Sequence, residues 1–455
     1  MSRQSSATDR LWDFFCSLKL TIITLILLAV TSILGTVVEQ NLPAQEYMQK
    51  YGISESTYSL MDRLQFFDMY HSYWFLSLLG LFAVNLICCS IKRFPRVWKT
   101  VREPVLVADE GLFKTLSNRE EIVAPGTLAA VRDKVGSLLT KRFAAPVVTE
   151  QDGRVYFFAQ KAAYARFGVY VTHLSILIIF VGAMIGNVWG YKAYVNIVEG
   201  SFVDKVWGRA AQEPIPLGFE VHCEAFEVTF YEGSGRPKEY TSDLVVKENG
   251  EEVLRKTIEV NHPLQYKGLT FYQSSYGPAG DPVYRFQVRE RATGETVEVS
   301  GQQGKRLALP GGSSLIPMGY ASNYQNLGPA AQVSIDMGNN QRGNPFVVLE
   351  KFAEFDERRG GAYVVTLLEA EQSYYTGLSV AKDPGVWVVW LGCLLMVLGS
   401  MTAFFLSHRR LWVTLQPLEK GVGVRIGGLA HRNQPAFTLY FDELTKDFNA
   451  SLAEK

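Results

Sequence analysis

Six histidines and five cysteines are the residues of this sequence best able to hold a metal or act as nucleophiles. They are scattered. No CxxC, CxxCH, HExxH or Gly-x-Ser-x-Gly arrangement occurs, and neither a phosphate loop nor a dinucleotide fingerprint is present. The common soluble-enzyme chemistries are therefore missing, and the chain offers no site for covalent haem attachment. His173 is the most informative histidine, because it falls inside the apolar run Phe167 to Trp189, about 9 Å from its start at ~1.5 Å per residue. An ionisable side chain in such a run is costly and normally faces protein or a water-filled cavity, which makes it a functional candidate. An interhelical hydrogen bond, worth on the order of 1 kcal/mol, is the competing explanation, and both readings stand at this point.

His71 lies at the mouth of another apolar run, within Asp68-Met69-Tyr70-His71-Ser72-Tyr73-Trp74-Phe75. Residence in an interfacial aromatic belt is the simpler account of it. If both runs are straight helices, His71 and His173 occupy opposite leaflets. They cannot then ligate one iron, because axial ligands stand about 4 Å apart across ~2 Å bonds. Each would need a partner from another helix or another polypeptide. His222, His262, His408 and His431 read as surface or ordinary residues. Among the cysteines, Cys16, Cys88, Cys89 and Cys393 lie in or beside apolar runs and read as small packing residues. Cys223 is alone in the segment assigned below to the oxidising side, so no intramolecular disulfide is expected there. It is either an inert buried thiol or a reactive one, a choice that turns on exposure and pKa.

The elements that must position these residues are read from hydropathy. The mean hydropathy of +0.03 hides four apolar runs: Leu20 to Val38, Tyr73 to Ile91, Phe167 to Trp189 and Val386 to Leu406. None contains Asp, Glu, Lys or Arg, and each matches the ~20 residues needed to cross ~30 Å of hydrocarbon. The first run exceeds a signal-peptide core and lacks a small-x-small cleavage site, so it is expected to be retained. Lys and Arg cluster before the first run (Arg3, Arg10, Lys19), after the second (Lys92, Arg93, Arg96, Lys99, Arg102), before the third (Lys161, Arg166) and after the fourth (Arg409, Arg410). The stretch Glu39 to Ser72 carries only Lys50 and Arg63 against five carboxylates. That asymmetry places both termini in the cytoplasm. The net charge of zero gives no reason to expect nucleic acid as a partner.

The fold expected is thus an integral membrane α-helical protein with four transmembrane helices and a large extracytoplasmic all-β, sandwich-like domain. Its segments are a cytoplasmic start (1–19), a first span (20–38), an outer loop (39–72), a second span (73–91) and an inner α/β loop (92–166). A third span (167–189), an outer β-rich domain (190–385), a fourth span (386–406) and a cytoplasmic tail (407–455) complete it. Asn249-Gly250, Thr293-Gly294 and Asp152-Gly153 predict hairpin turns, and Thr127 to Phe143 predicts a helix. The tail predicts strands over VGVRIGG and AFTLYF, then a helix near Asp442 to Leu452. Gly182 and Gly186 form a GxxxG that favours close helix packing.

Several blocks, in order along this topology, resemble the ResB family of cytochrome c biogenesis proteins, the system II haem-handling subunit. They are Gly35-Thr36 through Gln40-Asn41 with Tyr51-Gly52; Asp68 to Phe75 leading into Asn85; His173-Leu174 with Gly182; IEVNHPLQYKGLTFYQSSYG from Ile258 to Gly277; and YYTGLSVAKDPG from Tyr374 to Gly385, running into Trp390-Leu391-Gly392 and ending at His408-Arg409-Arg410. The resemblance implies a bacterial cytoplasmic (inner) membrane subunit that helps translocate or hold haem b and present it to apocytochrome c for attachment at CxxCH. It implies a ResC-type multi-spanning, tryptophan-rich partner, and a component of a haem-attaching complex rather than an enzyme alone. It makes His173 the leading iron ligand, His71 a second cofactor-binding candidate, and Cys223 a possible counterpart of a family cysteine. Two rivals remain open: a scaffold whose β-domain binds a protein partner without haem, and a haem-bearing respiratory membrane subunit.

Overall fold

A computed structural model describes residues 6–208, 213–231, 237–325, 327–338 and 343–453. Arg3, counted above among the flanking cations, lies outside them. The apolar runs form four spanning helices: Leu18–Val37, Tyr73–Arg102, Gly168–Trp189 and Val386–Phe405. The second starts where the Ser72 hydroxyl accepts the Phe75 amide at 3.3 Å. It continues well past Ile91, through Pro95, to Arg102. Hydropathy marks where the apolar stretch stops and is blind to the basic helix that follows, whose last-turn Lys99 and Arg102 suit the helix dipole.

Packing between these helices rests on small and polar residues. Gly168, Ser175 and Gly182 are buried along the third helix, and Gly392, Gly399 and Ala403 along the fourth. A Cβ on Gly399 would sit 2.8 Å from the Thr172 amide nitrogen, and one on Gly168 would sit 2.7 Å from that of Ala403. The backbones therefore touch, as small-residue stripes permit. Only one glycine of the expected GxxxG joins this stripe, since Gly186 faces the Asp383 carboxylate instead. Between the first two helices the buried Asn85 acts as a clasp. Its amide donates to Phe15 O at 2.6 Å and Ser17 O at 3.2 Å, and its carbonyl accepts from Thr21 Oγ1 at 2.6 Å.

One unit, Met1–Ala183 with Trp387–Lys455, carries an α/β domain besides the helices. Its five-stranded antiparallel sheet runs Asn118–Ala124, Val422–Ala430, Arg409–Pro417, Arg154–Lys161, Val147–Gln151 in spatial order. Asp152 and Gly153 turn the expected hairpin with positive φ values of 53° and 71°. Helices Leu128–Arg142 and Gln434–Ala453 cover one face, with Val135, Leu139, Phe437, Phe441 and Phe448 in the core. The inner loop and the tail are therefore one domain. The segment AFTLYF is helical, not a strand, which corrects the expectation above. Its Phe437-Leu439-Phe441 alternation mimics a strand, but burial of Leu444, Phe448 and Leu452 continues a three-to-four-residue period.

The other unit, Met184–Val386, is built of antiparallel sheets. An eight-stranded sheet spans Tyr191 to Lys382, with the strand Tyr191–Val198 paired to Tyr374–Lys382 near its middle. Inward residues alternate along it, as in Ala193, Val195 and Ile197. The core draws only on this sheet's own strands. A three-stranded and a four-stranded sheet share a second core around Phe286, Leu315, Val333 and Val365, which is the sandwich-like part. Asn249 and Gly250 turn the hairpin between Pro237–Glu248 and Glu251–Ile258, at φ 50° and 86°.

Candidate functional site

His173 lies about one and a half turns into the third helix. Its Nδ1 stands 2.9 Å from the Ser90 hydroxyl of the second helix, while that hydroxyl donates to Leu86 O at 2.7 Å. A serine has one proton to give, and Ser90 spends it on the carbonyl. A neutral His173 that donates from Nδ1 to that oxygen carries its lone pair on Nε2. Among the described residues no hydrogen bond reaches Nε2. A histidine whose far nitrogen is fixed by a second residue is the arrangement that orients an imidazole toward a metal.

Aromatic rings cluster on the same side of the helix pair. Tyr170 meets the His173 ring at 6.4 Å between centroids, and Phe94 meets Tyr170 at 5.2 Å and Phe167 at 6.0 Å. The next residue, Leu174, is 54% exposed on the helix surface, whereas His173 itself is half-buried in the seam with the second helix. The seam, and not the lipid-facing side, therefore holds the imidazole.

His71 ends a short 3-10 turn, Met69–His71, just before the second helix. Its Nδ1 is 2.6 Å from Asp68 Oδ1, and both side chains are well exposed. Gln40 pins this turn by accepting the Met69 amide at 2.9 Å, and the Asn41 amide donates to Phe67 O at 2.8 Å. Two sequence blocks far apart in the chain are thus brought together here. His71 and His173 are not: Ser90, the partner of His173, lies about 26 Å further along the second helix than its first residue. The two cannot share one ion, and among the described residues no group of three or more His, Cys, Asp or Glu could hold a metal.

The remaining candidates divide plainly. Cys223 is fully buried in the eight-stranded sheet, with Sγ 3.5 Å from Ala225 O. Burial pushes its thiol up to about 12, with Glu199 and Asp243 adding to the effect, so it stays protonated and packed. His222 pairs with Glu220 at 2.9 Å and stacks on Phe202, and His262 is exposed beside Glu259. His408 is not a surface residue. It is fully buried, accepts Arg166 Nε at Nδ1 over 2.7 Å, and contacts Gln160 Oε1 from Nε2 at 3.0 Å. Burial, then the charges of Arg166 and Arg410 and the nearby His431, push it down to about 3. Sequence reasoning missed it, although its place just after an apolar run and beside two arginines was a signal.

Comparison with known proteins agrees along nearly the whole chain. The model of the ResB-like family matches residues 18–350 and 340–442. Relatives named cytochrome c biogenesis protein CcsB include one from Microcystis aeruginosa, 29% identical over 92% of this chain and 91% of the relative, and one from Synechococcus, 28% identical over 96% and 89%. A protein from Porphyra purpurea named cytochrome c biogenesis protein Ccs1 is 25% identical over 96% of this chain and 95% of its own length. The chain belongs to the ResB-like family.

Proposed function

We propose that this chain is a membrane subunit of cytochrome c biogenesis that holds haem b for delivery to apocytochrome c, and that His173 Nε2 would ligate the haem iron. The observation that carries this reading is the 2.9 Å contact of His173 Nδ1 with the Ser90 hydroxyl, which anchors one ring nitrogen and leaves Nε2 without a hydrogen-bond partner among the described residues. Imidazole is an ordinary axial ligand of haem iron. Bound haem supplies the vinyl groups that the CxxCH thiols of the acceptor add to. The chain's own part is to bind and orient. Ser90 fixes the ring, and Tyr170 lies against it with Phe94 and Phe167 packed behind Tyr170. A multi-spanning, tryptophan-rich partner of the ResC type is the proposed source of any further ligand.

The cations in the last turns of the second helix, with Arg166, Arg409 and Arg410 at the ends of the third and fourth, favour that end facing the cytoplasm. Residues 191–382 then face the opposite side, where apocytochrome c would be met. His71, held by Asp68, is the second candidate for contact with the cofactor on that side.

The test is a reduced-minus-oxidised absorbance spectrum of the purified chain with and without its partner. A b-type signal that disappears in His173→Ala supports haem holding. Unchanged signal in that variant sinks the ligand assignment, and absence of haem in every preparation favours a scaffold role.

A further inference from the structure

Three arginines gather where the third spanning helix begins and the fourth ends, and among the described residues no carboxylate pairs with any of them. Arg166 sits in the 3-10 turn Ala163–Phe167, Arg410 is the second residue of the strand Arg409–Pro417, and Arg432 follows the strand Val422–Ala430, while Arg409 turns to the other face of its strand over Tyr440. Register puts Arg410 opposite both Gln160 and Leu429. Arg166 and the backbone of His431 both bond to His408, and Arg432 donates to the carbonyl of Ala403 in the fourth helix. Elsewhere the guanidinium groups of Arg142, Arg255, Arg285, Arg359 and Arg425 each meet a carboxylate. Among the described residues Arg166, Arg410 and Arg432 do not.

The bland explanation is the ordinary excess of cations on one side of a membrane protein, where each charge is solvated. Two facts stand against it. Arg410 Nε is buried with no hydrogen-bond partner, and the histidine at the centre of the cluster is wholly buried. Partly desolvated cations without a counter-charge are costly, and the cost is relieved by an anion brought from outside the chain. Position indicates which anion. The Arg432 guanidinium lies 5.9 Å from the Phe404 ring, and Phe404 and Phe405 are 79% and 81% exposed on the helix surface. A group that contacts these arginines therefore reaches lipid-facing rings on its other side, as a phospholipid does and a free ion does not.

We propose that Arg166, Arg410 and Arg432 form a binding site for the phosphate of an anionic phospholipid headgroup. The inference rests on the four helices spanning a bilayer and is independent of haem. The test is thermal unfolding of the full-length chain, delipidated in a neutral detergent, with phosphatidylglycerol, phosphatidylcholine or inorganic phosphate added. Phosphatidylglycerol should raise the midpoint by several degrees, with little change from the other two. Arg410→Gln should lose more than half of that rise while matching or exceeding the parent in lipid-free detergent, because an uncompensated charge has gone. Equal shifts from phosphatidylcholine, a matching shift from inorganic phosphate, or a full rise in Arg410→Gln would each overturn the site. Should that variant not fold, native mass spectrometry of the unaltered chain decides. Phosphatidylglycerol retained under conditions that strip phosphatidylcholine supports the site, and simultaneous loss of both lipids refutes it.

Discussion

His173 and His408 occupy two regions of one unit and spend their nitrogens differently. In the seam between the second and third helices, His173 sets Nδ1 against Ser90, and among the described residues no hydrogen bond reaches its Nε2. At the junction of the fourth helix with the five-stranded sheet, His408 commits Nδ1 to Arg166 and Nε2 to Gln160. His408 is the more deeply buried of the two, so burial is a poor guide to ligation here. A spare lone pair is the better one. The contrast makes one residue a candidate for cofactor binding and the other a structural tie.

Replacing each by alanine should separate them most sharply. On the proposed function, His173→Ala removes b-type absorbance per folded protein by more than about tenfold, the factor that ~1.4 kcal/mol represents. Its unfolding midpoint should move little, since only one hydrogen bond is lost. His408→Ala should do the reverse. It strands Arg166 Nε and the Gln160 carbonyl in a buried place, at a cost of about 3 kcal/mol, while haem per folded protein is unchanged. Loss of haem in both variants at equal stability would erase the distinction.

Acid should reach the two regions differently. His408 titrates at about 3 in the folded chain against an ordinary 6.5, because burial and neighbouring cations oppose its charge. Between those values the unfolded chain takes a proton that the folded chain refuses. Stability therefore rises with pH across the interval and is lost as pH falls below 6.5. Going from pH 7 to pH 5 should cost about 2 kcal/mol through this group. His431 shifts in the same direction, but it is exposed and contributes less. Denaturant unfolding at the two pH values should show this slope in the parent chain and a shallower one in His408→Ala. An equal slope in both would assign the pH dependence to other groups.

The same contrast explains what was legible in the sequence. Uncharged apolar runs announce spanning helices, and Asn249-Gly250 or Asp152-Gly153 announce hairpins, because the physical cause lies within a few adjacent residues. His173 was visible for that reason: an ionisable group in an apolar run is anomalous locally. The neighbouring run and arginines mark the position of His408, but its burial was not legible, since it depends on Gln160 and Arg166, which reach it only once strand Arg409–Pro417 pairs with strand Arg154–Lys161. The joining of the inner loop and the tail into one sheet is non-local in the same way. Ser90 belongs here too. Nothing near it in sequence marks it, and its role exists only because two helices bring it to His173.

Ser90 accordingly gives the finest test of the comparison. If a spare lone pair at Nε2 defines the site, then the residue that fixes the tautomer should matter without touching the ligand. Ser90→Ala leaves Nδ1–H without an acceptor and lets the ring turn or change tautomer. Loss of such an outer partner typically weakens binding by about 10-fold to 100-fold, and with a neutral hydroxyl as the partner the lower figure is expected. Ser90→Thr keeps an acceptor and should recover most of the affinity. The readout is haem occupancy during titration of the purified complex, with the absorbance maxima checking that the axial ligand is retained. A positioning role predicts weakened occupancy with an unshifted spectrum and rescue by threonine. Equal behaviour of the alanine and threonine variants would mean that packing, and not the hydrogen bond, holds the ring.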